Sequence, residues 1–185
     1  MNMFYTLEDL IKIYGSRKKA TTAITSGKYE KVSRGIYTDV SKYLVEMEYI
    51  FFRYPDATLT LQSAVAFYDL SDYVPDKYYV VTPLNAHKIT IDKVKQHYMQ
   101  NDLCNIGRVM VKTKYGYIYI YDKERLLIEV LRLKSKLSYD YYKEIIKSYR
   151  ALFNEGAISF HKIVEYCKKI TYGKDIRDRI QEIFL

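Results

Sequence analysis

The chain has 185 residues, of which 49% are hydrophobic and 28% charged, and it carries 30 basic against 22 acidic side chains. This length and composition supply one ordinary domain, or a small module joined to a larger one, and exclude collagen-like, disordered and disulfide-stapled proteins. No apolar run approaches the roughly 18 residues of a membrane-spanning helix. The first nine residues hold two acids and no basic side chain, which disfavours a secretory signal. We therefore expect a cytoplasmic protein that does not bind membranes.

The basic excess is concentrated near the N-terminus. Residues 12–34 hold seven basic side chains and one acid, whereas the whole chain has a net charge of +8. A solubilising surface does not require such concentration, but a polyanionic partner is attracted by it. The charge distribution therefore predicts a nucleic-acid-binding segment in this part of the chain.

Two short helices are predicted at the start of the chain. Thr6 and Asp9 form a variant of the capping box, and apolar residues at helical spacing extend a first helix over residues 7–14. Gly15 ends this helix, because glycine is favoured just past a helix C-terminus, and Ser16 caps a second helix.

A β-hairpin is predicted directly after the second helix. Two β-prone runs, residues 29–32 and 36–38, flank a turn that contains Gly35. Helix, tight turn, helix and hairpin follow one another in a winged helix-turn-helix. We assign this domain to residues 1–43.

The second predicted helix has a small apolar face and a basic, threonine-rich face. Its first turn presents free N–H groups and the positive end of the helix dipole, which suit a phosphate. Lys18, Thr21 and Thr22 are assigned to base edges, and the flanking basic residues to phosphates or the minor groove. The predicted DNA-binding residues are Ser16, Arg17, Lys18, Lys19, Thr21, Thr22, Thr25, Lys28, Lys31 and Arg34. The alternative is a solvated face on a helix that only packs.

Residues 44–185 are predicted to form a mixed α/β domain with a helical C-terminal end, so that the whole chain is of the α+β class. A helix over 41–54 ends at Pro55, which marks the connection between the domains. Further helices are predicted over 61–68, capped by Thr60, and over 123–134, 139–152, 159–171 and 175–184, with Gly156 and Gly173 as breakers. Strands are predicted over 77–82, 106–112 and 117–121, and the segments 87–91 and 94–99 are ambiguous short strands.

The C-terminal helices combine apolar and basic residues. Helical spacing assigns the apolar residues to the core; they are Tyr139, Tyr142, Ile145, Ile146, Tyr149, Phe160, Ile163, Val164 and Tyr166. The accompanying basic residues either form a solvated face or contact a partner; they are Lys134, Lys136, Lys143, Lys147 and Arg150.

Signals for catalysis are absent from the sequence. The three histidines do not have metal-ligand spacing with Cys104 or Cys167, and no glycine-rich phosphate loop or nucleophile motif is present. Asp122 and Glu124 lie at a strand-to-helix junction, where acids complement the helix dipole, which favours capping over catalysis. We expect a protein that is not an enzyme and that holds no metal or cofactor. The two cysteines fit a reduced protein, and one disulfide remains open.

Three stretches of the chain resemble the AbiEi family of bacterial antitoxin-repressors from type IV, abortive-infection toxin–antitoxin systems. The first is the run Lys31-Val32-Ser33-Arg34-Gly35-Ile36-Tyr37, which is similar to the wing of that family. The second extends from Thr60-Leu61-Gln62-Ser63-Ala64 through Asp69-Leu70 to Val74-Pro75. The third is the helix start Tyr121-Asp122-Lys123-Glu124-Arg125-Leu126-Leu127-Ile128-Glu129, for which we prefer a structural ion pair or cap.

The resemblance implies a protein in two parts. Its winged helix-turn-helix would bind inverted repeats in double-stranded DNA at its own promoter, as an autorepressor. Its C-terminal domain would counteract a nucleotidyltransferase toxin encoded beside it, with or without direct contact. The repressor residues of the family would correspond to Arg17, Lys18, Lys19, Thr21, Thr22 and Arg34.

Two other functions are compatible with the sequence. One is a DNA-binding transcriptional regulator whose second domain senses a ligand or dimerises. The other, less favoured, is an enzyme that acts on DNA.

Overall fold

The computed structural model describes residues 3–170 and 172–184, which form a mixed α/β protein with a three-stranded and a five-stranded sheet. The helices are α1 (Leu7–Tyr14), α2 (Arg17–Thr25), α3 (Glu46–Arg53), α4 (Leu61–Phe67), α5 (Asn101–Cys104), α6 (Lys123–Arg132), α7 (Tyr139–Asn154), α8 (Phe160–Lys169) and α9 (Gly173–Phe184). The strands are β1 (Tyr5–Thr6), β2 (Glu30–Ser33), β3 (Ile36–Thr38), β4 (Thr58–Leu59), β5 (Tyr78–Pro83), β6 (Val94–Met99), β7 (Arg108–Lys112) and β8 (Tyr117–Tyr121).

The chain divides into two compact units. The first unit extends to Pro55 and includes Val111–Ile118, the segment around the β7–β8 turn. The second unit consists of Asp56–Met110 and of the chain from Tyr119 onward. The division after Pro55 lies at the residue where the sequence placed the connection between the domains, and later than the assigned boundary at residues 43/44.

Helix α3 belongs to the first unit because its aromatic side chains pack there. The ring of Phe4 lies 5.6 Å from that of Tyr49 and 4.8 Å from that of Phe52, between centroids. The Tyr49 hydroxyl donates a 2.6 Å hydrogen bond to Ser33 Oγ in β2. The sequence of α3 is amphipathic like that of any surface helix, so it does not indicate which unit the apolar face of this helix packs against.

Helix α1 begins and ends as predicted, and α2 begins at its predicted cap. Thr6 Oγ1 accepts from the Asp9 amide at 3.1 Å, and Asp9 Oδ2 accepts from the Thr6 amide at 2.8 Å, which is the complete capping box of α1. Gly15 has a φ of +76° and its N–H donates to the Ile11 carbonyl, closing the helix in a left-handed conformation that suits glycine. Ser16 Oγ then accepts from the Lys19 amide and opens α2.

The sheet of the first unit has the order β1-β3-β2, and both of its pairings are antiparallel. Ser33 pairs with Ile36, so Arg34 and Gly35 form the turn of the predicted hairpin. Below the sheet, a core is formed by Leu10, Ala20, Ala23 and Tyr29. Strand β1 was not predicted, because two residues are too few for an alternating pattern.

The sheet of the second unit has the order β6-β5-β4-β8-β7. β5 runs parallel to β6, β4 runs parallel to β8, and β4 and β5 are antiparallel. Helix α6 is buried along nearly its whole length and contacts α4, α8 and α9. The five core residues Leu126, Leu127, Ile128, Val130 and Leu131 are each at most 1% exposed, so α6 is the centre of this unit.

Several predicted details differ from the structure. Residues 87–91 form no strand, whereas 94–99 correspond to β6; the short α5 and the two-residue β4 carry too little pattern to be predicted. Thr60 precedes α4, but its hydroxyl is buried without a hydrogen bond and does not cap the helix. Gly173 is the first residue of α9 rather than a breaker. The predicted end of the preceding helix at residue 171 lies outside the described residues.

Among the predicted core residues of α7 and α8, Tyr139 is 75% exposed. It is the first residue of α7, one turn before the buried face of that helix begins to contact its neighbours. Ile145, Ile146, Tyr149 and Ile163 are buried, as their helical spacing predicts.

Candidate nucleic-acid interface

Helix α2 separates an apolar face from a polar one. Ala20 is fully buried and Ala23 is 8% exposed, and both pack into the core of the first unit. At 100° per residue, Lys18, Thr22 and Thr25 lie on the opposite side, and all three are exposed. Small alanines allow α2 to lie close to α1, and the polar face is left to solvent.

The ten predicted DNA-binding residues are accessible. Ser16, the cap of α2, is half-buried, and the other nine are exposed. Those on α2 occupy its first two turns and its outer face, whereas Lys31 lies in β2 and Arg34 in the β2–β3 turn. The accessibility is what a surface that binds a large partner requires.

The threonines of α2 use their hydroxyls in two ways. Thr22 Oγ1 donates to the Lys18 carbonyl at 3.0 Å, and Thr25 Oγ1 donates to the Thr21 carbonyl at 3.1 Å. These bonds fix the two side chains while their methyl groups and acceptor lone pairs remain available. The Thr21 hydroxyl makes no hydrogen bond within the described part of the chain, so it also has its donor free.

The basic residues of this surface are not neutralised by neighbouring acids. In the ranges 3–170 and 172–184, the salt bridges involve none of the ten residues. The one nearby acid in the sequence, Glu30, accepts a 3.1 Å hydrogen bond from the Lys42 amide. The positive charges of Arg17, Lys18 and Arg34 are therefore available to an external anion.

Lys28 differs from the other cations because it contacts an aromatic cluster. Its ammonium lies 5.3 Å from the centroid of the Tyr14 ring, and this contact, together with the hydrogen bond to Tyr29, lowers the pKa of Tyr14. The Tyr14 and Tyr29 hydroxyls are 3.4 Å apart in a hydrogen bond, and the interaction with Tyr14 and burial raise the pKa of Tyr29 to about 12. This cluster holds α1 against the start of the hairpin. No sequence pattern indicated it.

The acids at the start of α6 form a helix cap and ion pairs, and a capping role is what their position in the sequence favours. Asp122 Oδ1 accepts from the Arg125 amide at 2.8 Å, and Asp122 Oδ2 accepts from the Tyr166 hydroxyl at 2.7 Å. Glu124 accepts from the Ser159 amide at 3.0 Å, and Lys162 pairs with both carboxylates. The two carboxylates raise the pKa of Lys162 against the effect of its partial burial. These acids thus tie the start of α8 to the start of α6.

Arg125 and Glu129 form a buried ion pair in the same helix. Arg125 Nη2 lies 2.8 Å from Glu129 Oε1, and the two side chains are 0% and 2% exposed. Burial by itself would lower the pKa of Arg125, but the interactions with Glu129 and Tyr121 outweigh this effect and raise the pKa above its ordinary value. The guanidinium therefore stays charged. Both residues lie in the third stretch of the family resemblance, for which a structural ion pair or cap was the preferred interpretation, and they form such an ion pair.

Within the described residues, no group of three or more histidine, cysteine or acidic side chains is placed to hold a metal ion. Cys104 and Cys167 are both buried and free, so the disulfide left open by the sequence is not formed. In the same part of the chain, no helix combines the length and the apolar character needed to cross a bilayer.

Comparison with known proteins shows a likeness at the level of fold. No protein-family model matches the chain, and no curated protein matches it significantly. Among solved structures, the crystal structure of the Rv2827c protein from Mycobacterium tuberculosis is similar, with a TM-score of 0.62 and 12% sequence identity. The match covers 98% of this chain and 75% of that one. Nearly the whole chain is therefore similar in fold to this mycobacterial protein.

Proposed function

We propose that the first unit is a winged helix-turn-helix that binds double-stranded DNA. Its strand order β1-β3-β2, with α1 and α2 inserted between β1 and β2, matches that architecture. In this assignment α2 is the recognition helix and the β2–β3 hairpin is the wing. The observation that carries the proposal is the set of exposed cations on the outer face of α2 and at the hairpin turn, none of them paired with an acid of the described chain.

The side chains of α2 divide by the contacts they suit. Lys18 donates to guanine O6 or N7, and the methyl groups of Thr21 and Thr22 pack on a thymine methyl. Arg17, Lys19 and the wing residues contact phosphates, which supply affinity without sequence information. Lys28, whose ammonium also lies over the Tyr14 ring, contacts a phosphate as well.

We further propose that the chain is a cytoplasmic antitoxin and autorepressor of the AbiEi type. The resemblance in the wing, in the region that starts at Thr60 and at the start of α6 supports this function. The first unit would bind inverted repeats in the promoter of its own operon, and the second would counteract the neighbouring nucleotidyltransferase toxin. Neither role needs a catalytic group or a cofactor.

Replacing Lys18 with alanine tests DNA binding. The measurement is fluorescence anisotropy with a duplex of the chain's own promoter and with a scrambled duplex, over a series of salt concentrations. We expect the natural protein to prefer the promoter duplex and to lose affinity steeply with salt, with a slope of about −0.9 in log K against log salt for each neutralised phosphate. Lys18→Ala should cost about 1–3 kcal/mol on the promoter duplex and much less on the scrambled one.

Lys12→Ala is the matched control, because Lys12 is an exposed lysine on α1 that lies outside the proposed surface. The two variants carry the same net charge, so a nonspecific electrostatic effect would weaken both equally. Equal losses in the two variants, or equal binding of both duplexes by the natural protein, would refute the recognition-helix assignment.

Co-expression with the adjacent toxin tests the antitoxin role. We expect the natural chain to restore growth, and we expect a variant that lacks Lys18 and Arg34 to restore growth while no longer repressing the promoter. The readouts are colony growth and a promoter–reporter fusion, with the toxin supplied from an independent promoter. Growth arrest in the presence of well-expressed natural chain would reject the antitoxin role and leave DNA binding untouched.

A further inference from the structure

A groove in the second unit combines cationic and aromatic side chains. It has a volume of about 630 Å³, within the range of about 300–1,000 Å³ that is usual for small-molecule sites. Its walls come from the end of α6, the short 3₁₀ helix Lys134–Lys136, the start of α7 and the last turns of α9. None of the functions proposed above uses this groove.

The two arginines of the groove are held in place by contacts within the second unit. Arg132 Nε donates to Glu129 Oε2 at 2.9 Å, and Arg132 Nη2 pairs with the same oxygen. Arg179 Nη1 donates to the Leu131 carbonyl at 3.3 Å. Each guanidinium has five N–H donors in a rigid fork, so both keep further donors for a ligand. Because the side chains are already anchored, little rotamer entropy is lost when an anion binds.

The aromatic part of the groove includes Tyr139 and Tyr142. Tyr139 is 75% exposed, although large aromatic side chains are usually buried. Tyr142 carries the Lys134 ammonium 5.0 Å from its ring centroid, which places a cation beside the aromatic surface. Tyr139 also begins a helix of 16 residues whose cap, Ser138, makes no side-chain hydrogen bond to it. The positive end of that helix adds to the attraction for an anion.

Among the described residues that line the groove, Glu182 is the one carboxylate. A purely polyanionic occupant, such as an acidic peptide, would be repelled by it. A ligand that has hydroxyl groups beside its anionic group would instead donate to it. The groove thus offers cations for a phosphate, a carboxylate for hydroxyls and an exposed ring for a planar group.

We propose that this groove binds a nucleotide, with the phosphate on Lys134 and Arg179 and the base stacked on Tyr139. Arg132 adds donors to the phosphate from the other wall, and Glu182 accepts from the ribose hydroxyls. The same chemistry is present in a free nucleoside phosphate and at the end of a single nucleic-acid strand. The site does not depend on DNA binding by the first unit.

Titration calorimetry of the full chain tests the site with three probes: nucleoside monophosphates, inorganic phosphate and a short single-stranded oligonucleotide. We expect the nucleotides to bind about fivefold or more tightly than inorganic phosphate, because stacking of one base contributes at least that factor. Arg179→Gln should weaken nucleotide binding about tenfold, since it removes a charge-assisted contact. Tyr139→Ala should bring the nucleotide affinity down to that of phosphate.

Lys147→Gln is the matched control, because Lys147 is an exposed cation of α7 outside the groove; its affinity for every probe should equal that of the natural chain. Lys134→Gln covers the case in which Arg179→Gln disturbs the packing of α9, and melting curves of each variant establish that it is folded. Lys18→Gln, on the first unit, should leave mononucleotide affinity unchanged, which separates this site from the DNA surface.

The probes also identify the source of the ligand. If mononucleotides bind and the oligonucleotide is no tighter, the ligand is a free nucleotide; if the oligonucleotide is tighter and loses affinity in the same variants, it is a strand end. The proposal is overturned if no probe gives saturable binding, if phosphate binds as tightly as the nucleotides, or if Lys147→Gln loses as much affinity as Arg179→Gln. Binding of an acidic peptide that depends on Arg179, without nucleotide binding, would overturn it in favour of a protein partner.

Discussion

The carboxylate of Glu129 balances two arginines inside the second unit. Besides its contacts with Arg125 and Arg132, it accepts a 3.0 Å hydrogen bond from the Tyr172 hydroxyl. Arg125 is fully buried, and its Nε and Nη1 have no hydrogen-bond partner in the described chain, so it depends on this one carboxylate. Removing one partner of a buried pair leaves an uncompensated charge, which costs more than the pair itself contributes.

Glu129→Gln should therefore destabilise the protein by about 3–5 kcal/mol. The measurement is the free energy of unfolding in urea, followed by circular dichroism. Glu165→Gln is the control, because Glu165 pairs only with Lys168 at the surface, and it should unfold at the same urea concentration as the natural chain. A Glu129→Gln variant as stable as the control would show that Arg125 tolerates burial without its carboxylate.

At the scale of single elements, helix α1 owes its start to an ionised side chain. The hydrogen bonds from the Thr6 backbone and side chain lower the pKa of Asp9 below its ordinary value of 3.8. Because the folded-state pKa is depressed, the ionised form stabilises the fold at pH values above the ordinary pKa. This stabilisation is lost as the pH falls through the depressed value.

Asp9→Asn should accordingly lower the melting temperature near neutral pH, and the difference from the natural chain should shrink below about pH 5 and close as the pH falls through the depressed pKa of Asp9. Thermal unfolding by circular dichroism over this pH series measures it. Glu8→Gln removes the same charge from the same turn without breaking the capping box, so it should melt close to the natural chain. A deficit in Asp9→Asn that persists unchanged at low pH would mean that ionisation of Asp9 does not support α1.

Sequence reasoning predicted the elements whose signal is local. The start of α1 at Thr6, its end at Gly15 and the Asp122 cap of α6 are each fixed by side chains within a few residues. β1 and β4 escaped prediction because each has two residues and exists only through pairing with a distant strand. Local patterns carry no information about contacts between distant parts of the chain. For the same reason, helical spacing placed Tyr139 in the core although it is exposed.

The candidate DNA-binding surface was predictable to a similar extent. Charge concentration and helical spacing identified the exposed face of α2, since both properties are present in a short stretch of sequence. The engagement of Lys28 with Tyr14 was not predictable, because it joins the end of one helix to the segment after the next. The groove of the second unit was not predictable for a related reason: it brings residues 132–142 against the last turns of α9, about forty positions later in the sequence.

For the whole molecule, the division into units has a consequence for fragments. The first unit includes Val111–Ile118, and within it Thr113 Oγ1 donates to the buried carboxylate of Glu48 on α3. A fragment that ends at Pro55 lacks this donor. It also lacks Gly116, which packs against the Glu48 side chain, so the face of α3 that this segment covers would be exposed to water.

We expect residues 1–55 alone to melt at a lower temperature than the first unit of the full chain, and to bind promoter DNA more weakly. Circular dichroism melting and anisotropy with the promoter duplex measure the two effects. A fragment as stable as the full chain would show that residues 111–118 contribute nothing to the first unit.

The polypeptide passes from one unit to the other at three places, after Pro55, after Met110 and after Ile118. A recombination event with a single crossover near Pro55 would therefore exchange the proposed DNA-binding residues but leave behind the segment Val111–Ile118 that completes the first unit. If the first unit binds DNA as proposed, new sequence preferences should arise more readily by substitutions on the outer face of α2 than by transfer of the residues up to Pro55 as a block. A change of the proposed DNA specificity by design should likewise start from substitutions on α2 and keep the first unit, including residues 111–118, intact.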